Sequence, residues 1–419
     1  MPEVKGFRAF RFDPKVAGSY DDTITPPYDV INPSQRAELM ARSPFNMVHV
    51  LLPEGEGDVR YRNAAARLDS WLAQGALKQD PEPSFYLLSQ TFRGLDGQEL
   101  VRKGFFAAAR LPEYGKSSYL DHERVFDKKV ADRLALTEHT QAQLGAVFVM
   151  YRDPNRQLAP FYDAMRRRPE DMRAVTIDGV IQRIWKVPQD EAVTRFFRDE
   201  TLYIADGHHR FRMACLYRDR MHEREQPGGD RPYDFVLMGF VDIDDPGLRV
   251  WPTHRLVDPP GGFDEPAFLK AAGEWFDIAP AGDDLAARVE AAPGCAIGVA
   301  VHHGGRHILT LRDIDRTTFL GDDRTDAWRD LDVAVLHRGL FERIMGLPDG
   351  AEYVYEPGAD AALAAVASGE KKLGFFLKGT RTEQICACAH AADPMPQKST
   401  YFFPKLPSGA VIHRLVEDA

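Results

Sequence analysis

Residues 206–210 read Asp-Gly-His-His-Arg and follow directly on the apolar run 202–205. If that run is a strand turning straight into a helix, the N–H groups of the first helical turn are left open, and with the helix dipole they favour an anion. Gly207 tolerates the tight turn and lets a ligand approach the backbone closely. His208, His209 and Arg210 add donors at the same end, Arg210 with a fork that matches phosphate. Asp206 offers a counter-charge, or an oxygen for a magnesium ion that bridges phosphates. The plainer alternative makes Asp206 a helix N-cap and the histidines surface residues. A cap needs one residue, however, and four polar side chains crowd a strand's carboxyl end, where open α/β sheets place their ligands. The motif therefore points to a phosphate or nucleotide site.

Two further clusters could carry chemistry. In LDHERVFDKKVADRL (120–134), Asp121, His122 and Glu123 form a turn before a helix that would carry Lys129 and Arg133 on one face. Periodicity alone reads this as a solvated helix with a capping acid. In PQKSTYFFPK (396–405), Lys398, Ser399 and Thr400 lie between Pro396 and Pro404, and Tyr401, Phe402 and Phe403 give this tail reason to dock. A docked Lys-Ser-Thr turn can hold a phosphate or carboxylate, or can merely satisfy backbone; the residues leave both open. Cys386 and Cys388 precede His390 but lack a second ligand pair at finger-like spacing, so small buried thiols are expected there rather than a metal.

The elements that must position these groups are legible as periodicities. NMVHVLLP (46–53) reads as a buried strand, 59–77 as a helix ended by Gly75, and 84–112 as a hairpin turning at Leu-Asp-Gly. Pro26-Pro27 and Asn32-Pro33 mark 24–36 as irregular. Strands are predicted at 145–151, 201–205 and 234–243, with a helix starting inside GHHRFRMACLYRDR that buries Phe211, Ala214, Leu216 and Tyr217. A proline- and glycine-dense boundary near 245–265 leads to a helix at 265–275, a hairpin around CAIGVAVHHGGRHILTL and an amphipathic helix at LDVAVLHRGLFERIMG. Strand, helix and an extended tail follow. The fold class is α+β (mixed α/β), without the repeating order of a doubly wound sheet. Four regions are expected: 1–110, an N-terminal α/β region; 111–245, a phosphate-binding core; 246–375, α+β; and 376–419, a strand, helix and docked tail completing the site.

Composition narrows the function classes. The 419 residues carry 53 basic against 63 acidic side chains, a net charge of −10, and phosphate-backbone binding needs the opposite surplus. Nucleic acid is thus not expected as a partner, whereas a small phosphorylated ligand is unaffected by this balance. The start has no apolar signal segment and no stretch reaches the length of a membrane span, so no membrane association and a cytoplasmic location are expected.

Taken together, IADGHHR followed by a helix resembles the signature of the ParB/sulfiredoxin-like superfamily, whose matching loop binds nucleotide phosphates. Within it, LDHER, IADGHHRF and PQKSTYFFP, in this order, resemble the free serine kinases over roughly residues 110–419. The whole chain, with TPPYDVI and the W-x-x-x-G-x-L run at 71–77, is similar to the longer bacterial group named domain of unknown function 1015. The resemblance implies a ParB/sulfiredoxin-like nucleotide-binding core with additional N-terminal and C-terminal α/β regions. It implies a kinase that transfers phosphoryl from ATP or ADP, with Mg²⁺, to a small hydroxylated metabolite, serine being the first candidate. Glu123 would accept the hydroxyl proton, and Asp206 would lie near the metal and the transferred group. Gly207, His208, His209 and Arg210 would line the nucleotide phosphates, and His122, Lys398, Ser399 and Thr400 the substrate and its phosphate. Where the kinases have Thr-Thr-Arg-His, this chain has Lys398-Ser399-Thr400-Tyr401. A nucleotide-binding regulator without phosphotransfer is the alternative. A sulfiredoxin-like reductase is set aside, because residues 206–210 contain no cysteine.

Overall fold

Long alternating and apolar runs in the first half of the chain pair into one sheet, and that sheet carries the Asp-Gly-His-His-Arg motif. A computed structural model describes residues 2–113, 118–259, 261–348 and 351–416. Among them the chain is mixed α+β and divides into two compact units rather than four regions. The first comprises 1–121, 125–248 and 404–419; the second comprises 122–124 and 249–403. The strand Glu99–Arg110 pairs with Ser84–Arg93 from residue 99 to 106 and with Phe235–Asp242 from residue 105 to 110, so one sheet runs across position 110.

The first unit is built on a nine-stranded mixed sheet. Its order runs Tyr119–Leu120, Leu202–Asp206, Val147–Tyr151, Phe235–Asp242, Glu99–Arg110, Ser84–Arg93, Ile181–Pro188, Met172–Val175, with Val4–Lys5 also paired to Glu99–Arg110. One face is packed by aromatic rings: Phe105 stacks on Phe240 at 4.8 Å, with Phe85, Tyr151 and Phe197 around them. Burying side chains of this size stabilises the sheet by roughly 1.5–3 kcal/mol each. A separate cluster places Trp71, Leu68 and Ala64 of the helix Asp58–Ala73 against Val50, Leu51, Leu77 and Ile412.

Two local readings change. Residues Val48–Leu51 form a helical turn, not a strand: Asn46 accepts from the Val48 N–H, and a four-residue segment is too short for periodicity to separate the two. Asn32-Pro33 starts a helix, Pro33–Arg42, because proline suits the first helical position and Asn32 forms a capping box with Gln35.

The second unit carries a six-stranded antiparallel sheet in the order Phe276–Pro280, Arg306–Leu311, Ala296–Val301, Leu373–Phe376, His254–Val257, Val354–Glu356. The amphipathic segment read at 331–346 is helical, but over Val335–Ile344 it takes π-helical hydrogen bonding. No helix among the described residues is long and apolar enough to cross a membrane.

Candidate functional site

In the first unit the strand Leu202–Asp206 delivers Asp206 to the start of the helix His208–Glu225. Its pairing with Val147–Tyr151 is irregular between Ile204 and Asp206, a bulge that re-aims the last side chain. Gly207 sits at φ +89°, and a Cβ there would meet the Arg210 Nε at 2.9 Å, so both conformation and space require glycine. Gly207, not Asp206, is the cap residue, and no side chain caps the helix. Met213, Tyr217 and Met221 anchor this helix on Val130 and Leu134 of the helix Asp127–Thr140. Arg133 of that second helix is structural, donating to the Leu51 carbonyl and lying 4.3 Å from the Tyr28 ring.

Around Asp206 the charges are tightly arranged. Arg210 donates to Asp206 Oδ2 at 2.9 Å and, through its other terminal nitrogen, to the carbonyl of Ala146. Lys405 Nζ lies 3.3 Å from Asp206 Oδ1, and the Lys405 side chain is 9% exposed. Burial alone would push the Asp206 carboxyl up, but Lys405, Arg210 and His208 together hold it well below the usual carboxylate range. His208 is buried. His209 accepts the Phe126 N–H on Nε2 at 3.1 Å and stacks on the Phe126 ring, tying this turn to the segment that leads into Asp127–Thr140. That bond makes the ring neutral, with its proton on Nδ1.

Lys405 belongs to the last motif quoted above but was not singled out from it. The signal available was a lysine directly behind Pro404, inside an aromatic segment expected to dock. A buried polar relay positions it. Gln90 donates to the Lys405 carbonyl at 2.9 Å and to Gln182 at 3.0 Å, while Arg102 donates to Gln90 and to the Pro404 carbonyl. Gly239 makes room for the next residue: a Cβ there would lie 2.4 Å from Leu406 Cδ1.

In the second unit His122 meets the Lys398–Thr400 turn. His122 Nε2 lies 3.3 Å from Thr400 Oγ1, and its carbonyl accepts from the Met395 N–H at 2.9 Å. Glu123 is half-buried at the bend that follows. Lys398 is exposed at φ +55°, and its carbonyl accepts from the buried Arg255 at 3.0 Å. Ser399 turns inward, its hydroxyl bonded to the Pro396 carbonyl and its own carbonyl accepting from Thr380. The tail docks as a strand, Tyr401–Phe403 on Arg249–Trp251, with Trp251 stacked 3.7 Å from Phe403. Upstream, Asp393 is held by Arg324 and by the N–H and hydroxyl of Thr325.

The structure thus gathers the predicted residues into two sets: Asp206 to Arg210 with Lys405 on one unit, and His122, Glu123 and Lys398 to Thr400 on the other. Chemically the first set brings two cations and one carboxylate to the start of a helix. Two buried cations against one carboxylate leave one surplus positive charge, added to the positive end of an uncapped 18-residue helix. Both Asp206 oxygens are engaged by cations, and no group of three or more His, Cys, Asp or Glu side chains that could hold a metal occurs among the described residues. Cys386 and Cys388 are buried in the helix Thr382–His390.

The sequence pattern of a protein family of unknown function, DUF1015, matches residues 4–334. No curated protein matches the chain. Among solved structures, a free serine kinase in complex with AMP is similar at 11% identity and TM-score 0.33, covering 68% of this chain and 83% of that one. A conserved hypothetical protein from Pyrococcus furiosus gives 13% and 0.33, covering 70% and 90%. SbnI from Staphylococcus aureus, truncated at its C-terminus, gives 8% and 0.33, covering 72% and 87%.

Proposed function

This chain belongs to the DUF1015 family, whose function is unknown, and on that premise we propose that it is a nucleotide-dependent phosphotransferase acting on the hydroxyl of a small molecule. The observation that carries the reading is the surplus positive charge at the start of His208–Glu225, built from Lys405 and Arg210 around Asp206. Such a site suits the phosphates of ATP or ADP, and the likeness of IADGHHR to the ParB/sulfiredoxin-like phosphate loop supports it. Phosphoryl transfer asks the protein for positioning, charge neutralisation and a base. Lys405 and the helix amides supply the neutralisation. Asp206 holds Lys405 and Arg210 in place, and Gly207 keeps the backbone close to the phosphates.

Glu123 is the base of this reading. The acceptor oxygen bonds to the terminal phosphorus as the bond to the bridging oxygen breaks; the hydroxyl proton passes to Glu123 and the shortened nucleotide leaves. His122, Lys398 and Thr400 hold the acceptor, while the inward Ser399 shapes their turn. Asp206 would lie beside a magnesium ion brought by the nucleotide, which would neutralise charge on the phosphates. Free serine is the first acceptor to test, since the kinase-like motifs occur in kinase-like order.

Incubating the protein with Mg²⁺, L-serine and either ATP or ADP, beside an Asp206→Ala control, and reading phosphoserine by mass spectrometry tests the reading and names the donor. Glu123→Gln should lower kcat by ~10²–10⁴ while nucleotide affinity is unchanged. Full activity in that variant would remove the assigned base. The alternative reading is a nucleotide-binding regulator without transfer. Nucleotide bound tightly and returned intact with every acceptor tried would establish that reading instead.

A further inference from the structure

The second unit contains a cleft of 570 Å³ for which the motif residues do not account. Its walls include Arg124, which follows Glu123, and Pro396 and Gln397, which precede the Lys398–Thr400 turn. Arg324, Arg338, Trp328, Tyr353 and Tyr355 complete the part that matters here. A cleft of this volume is of the class that encloses ligands well beyond a single amino acid, and free serine would leave most of it to solvent.

Of the lining arginines, Arg324 is paired with Asp393 and Arg338 with Asp323 at 2.9 Å, while Arg124 presents an exposed fork. Trp328 is 5% exposed, and its indole N–H finds no acceptor. The Arg324 guanidinium stacks 4.4 Å from the Trp328 ring, and Tyr353 is stacked on Phe341 at 4.8 Å. Behind the wall lies Arg255, 1% exposed, whose donors go to the carbonyls of Thr253, Gln397 and Lys398 and to His337 Nε2. None of these acceptors is a carboxylate, so a buried guanidinium stands uncompensated beside three residues that line the cleft: His337, Tyr355 and Gln397. Burial and Arg255 push the His337 pKa down to about 3, which leaves the ring neutral and adds no second charge to repel Arg255. Among the described residues Glu342 is the one lining carboxylate, and it lies 3.6 Å from Arg338. His337, Arg338 and Glu342 all stand on the π-helical segment Val335–Ile344, a rare backbone form that recurs at functional sites.

We propose that this cleft binds a carboxylate-bearing small molecule with a flat apolar body, larger than serine, and that this molecule is the hydroxyl acceptor. The carboxylate sits on the fork of Arg124, within the field of Arg255, and the apolar body lies against Trp328, Tyr353 and Tyr355. Planar bidentate pairing makes arginine the suitable partner for a carboxylate. The occupant's role rests on the phosphotransfer reading, but its binding does not.

The test is calorimetric titration of the full chain, without nucleotide, using 3-phenyllactate, its neutral amide and L-serine. Arg124 is exposed, so Arg124→Gln should fold; unchanged near-ultraviolet circular dichroism checks this, and Arg124→Lys restores the charge without the fork. The expected result is binding of 3-phenyllactate at least tenfold tighter than its amide or serine, a loss of about tenfold in Arg124→Gln, and partial recovery in Arg124→Lys. Equal binding of acid and amide, or an Arg124→Gln protein that binds like the wild type, overturns the proposal. So does AMP competing with 3-phenyllactate, since the cleft would then be a nucleotide site. Phosphoserine formation without 3-phenyllactate binding leaves phosphotransfer standing and removes the cleft's assignment. Arg124-dependent binding with no acceptor ever phosphorylated does the reverse.

Discussion

Lys405→Met removes one of the two cations that hold Asp206 while keeping the length of the side chain. At 3.3 Å and an effective dielectric constant of about 20, the Lys405–Asp206 attraction is about 5 kcal/mol before desolvation. Releasing Lys405 from burial returns part of that, and Arg210 still pairs Asp206 at 2.9 Å. Breaking a buried pair costs roughly 3–5 kcal/mol when the remaining charge has no other partner; with Arg210 in place, about 2–3 kcal/mol is expected. Urea denaturation at pH 7 measures it. The sign of the pH dependence follows from the direction of the Asp206 shift. Its folded carboxyl lies below the unfolded value, so the stabilisation is fully present above about pH 4–5 and is lost as pH falls through the folded pKa. The gap between wild type and Lys405→Met should therefore narrow in acid. Nucleotide affinity, measured by the same titration method, should fall about tenfold or more with loss of the surplus charge. A variant that matches wild type within about 0.5 kcal/mol and binds nucleotide equally would refute the assignment of Lys405 to the phosphate site.

Other perturbations separate the parts. Gly207→Ala, forced to φ +89° with its Cβ against the Arg210 Nε, should cost about 2 kcal/mol or more of stability and weaken nucleotide binding, read by denaturation and titration. Arg102→Leu strips the donors from Gln90 and from the Pro404 carbonyl, and should cost about 2–3 kcal/mol; nucleotide affinity should drop because the Lys405 backbone loses its support. Thr400→Val removes the partner of His122 Nε2 and should raise the acceptor KM about fivefold with nucleotide affinity unchanged, as steady-state kinetics would show.

Most of the secondary structure was legible because it is encoded over short spans. The strand 202–206, the glycine turn and the helix that follows are neighbours in sequence, so the open helix start could be read from ten residues. The apolar periodicities of Asp58–Ala73 and of the hairpin 84–110 were equally plain. Local reading failed where two local codes compete. Asn32-Pro33 looks like a break but is also a helix start, and Val48–Leu51 is too short for its period to show. The π-helical hydrogen bonding of Val335–Ile344 has no distinct residue pattern, since it depends on what the widened turns pack against, here Phe319 over Gly339.

By itself, then, the sequence determined the α+β class, the strand, glycine turn and helix that carry Asp206 to Arg210, and the residue types around them. Tertiary structure alone decided how those residues are used. It sends Arg210 inward to the Ala146 carbonyl and brings Lys405, 199 positions away, onto Asp206. It also places Arg255 without a carboxylate behind an aromatic cleft. The physical reason is common to all three: a buried charge is defined by whatever long-range packing sets beside it, and that neighbour leaves no periodic trace in the chain.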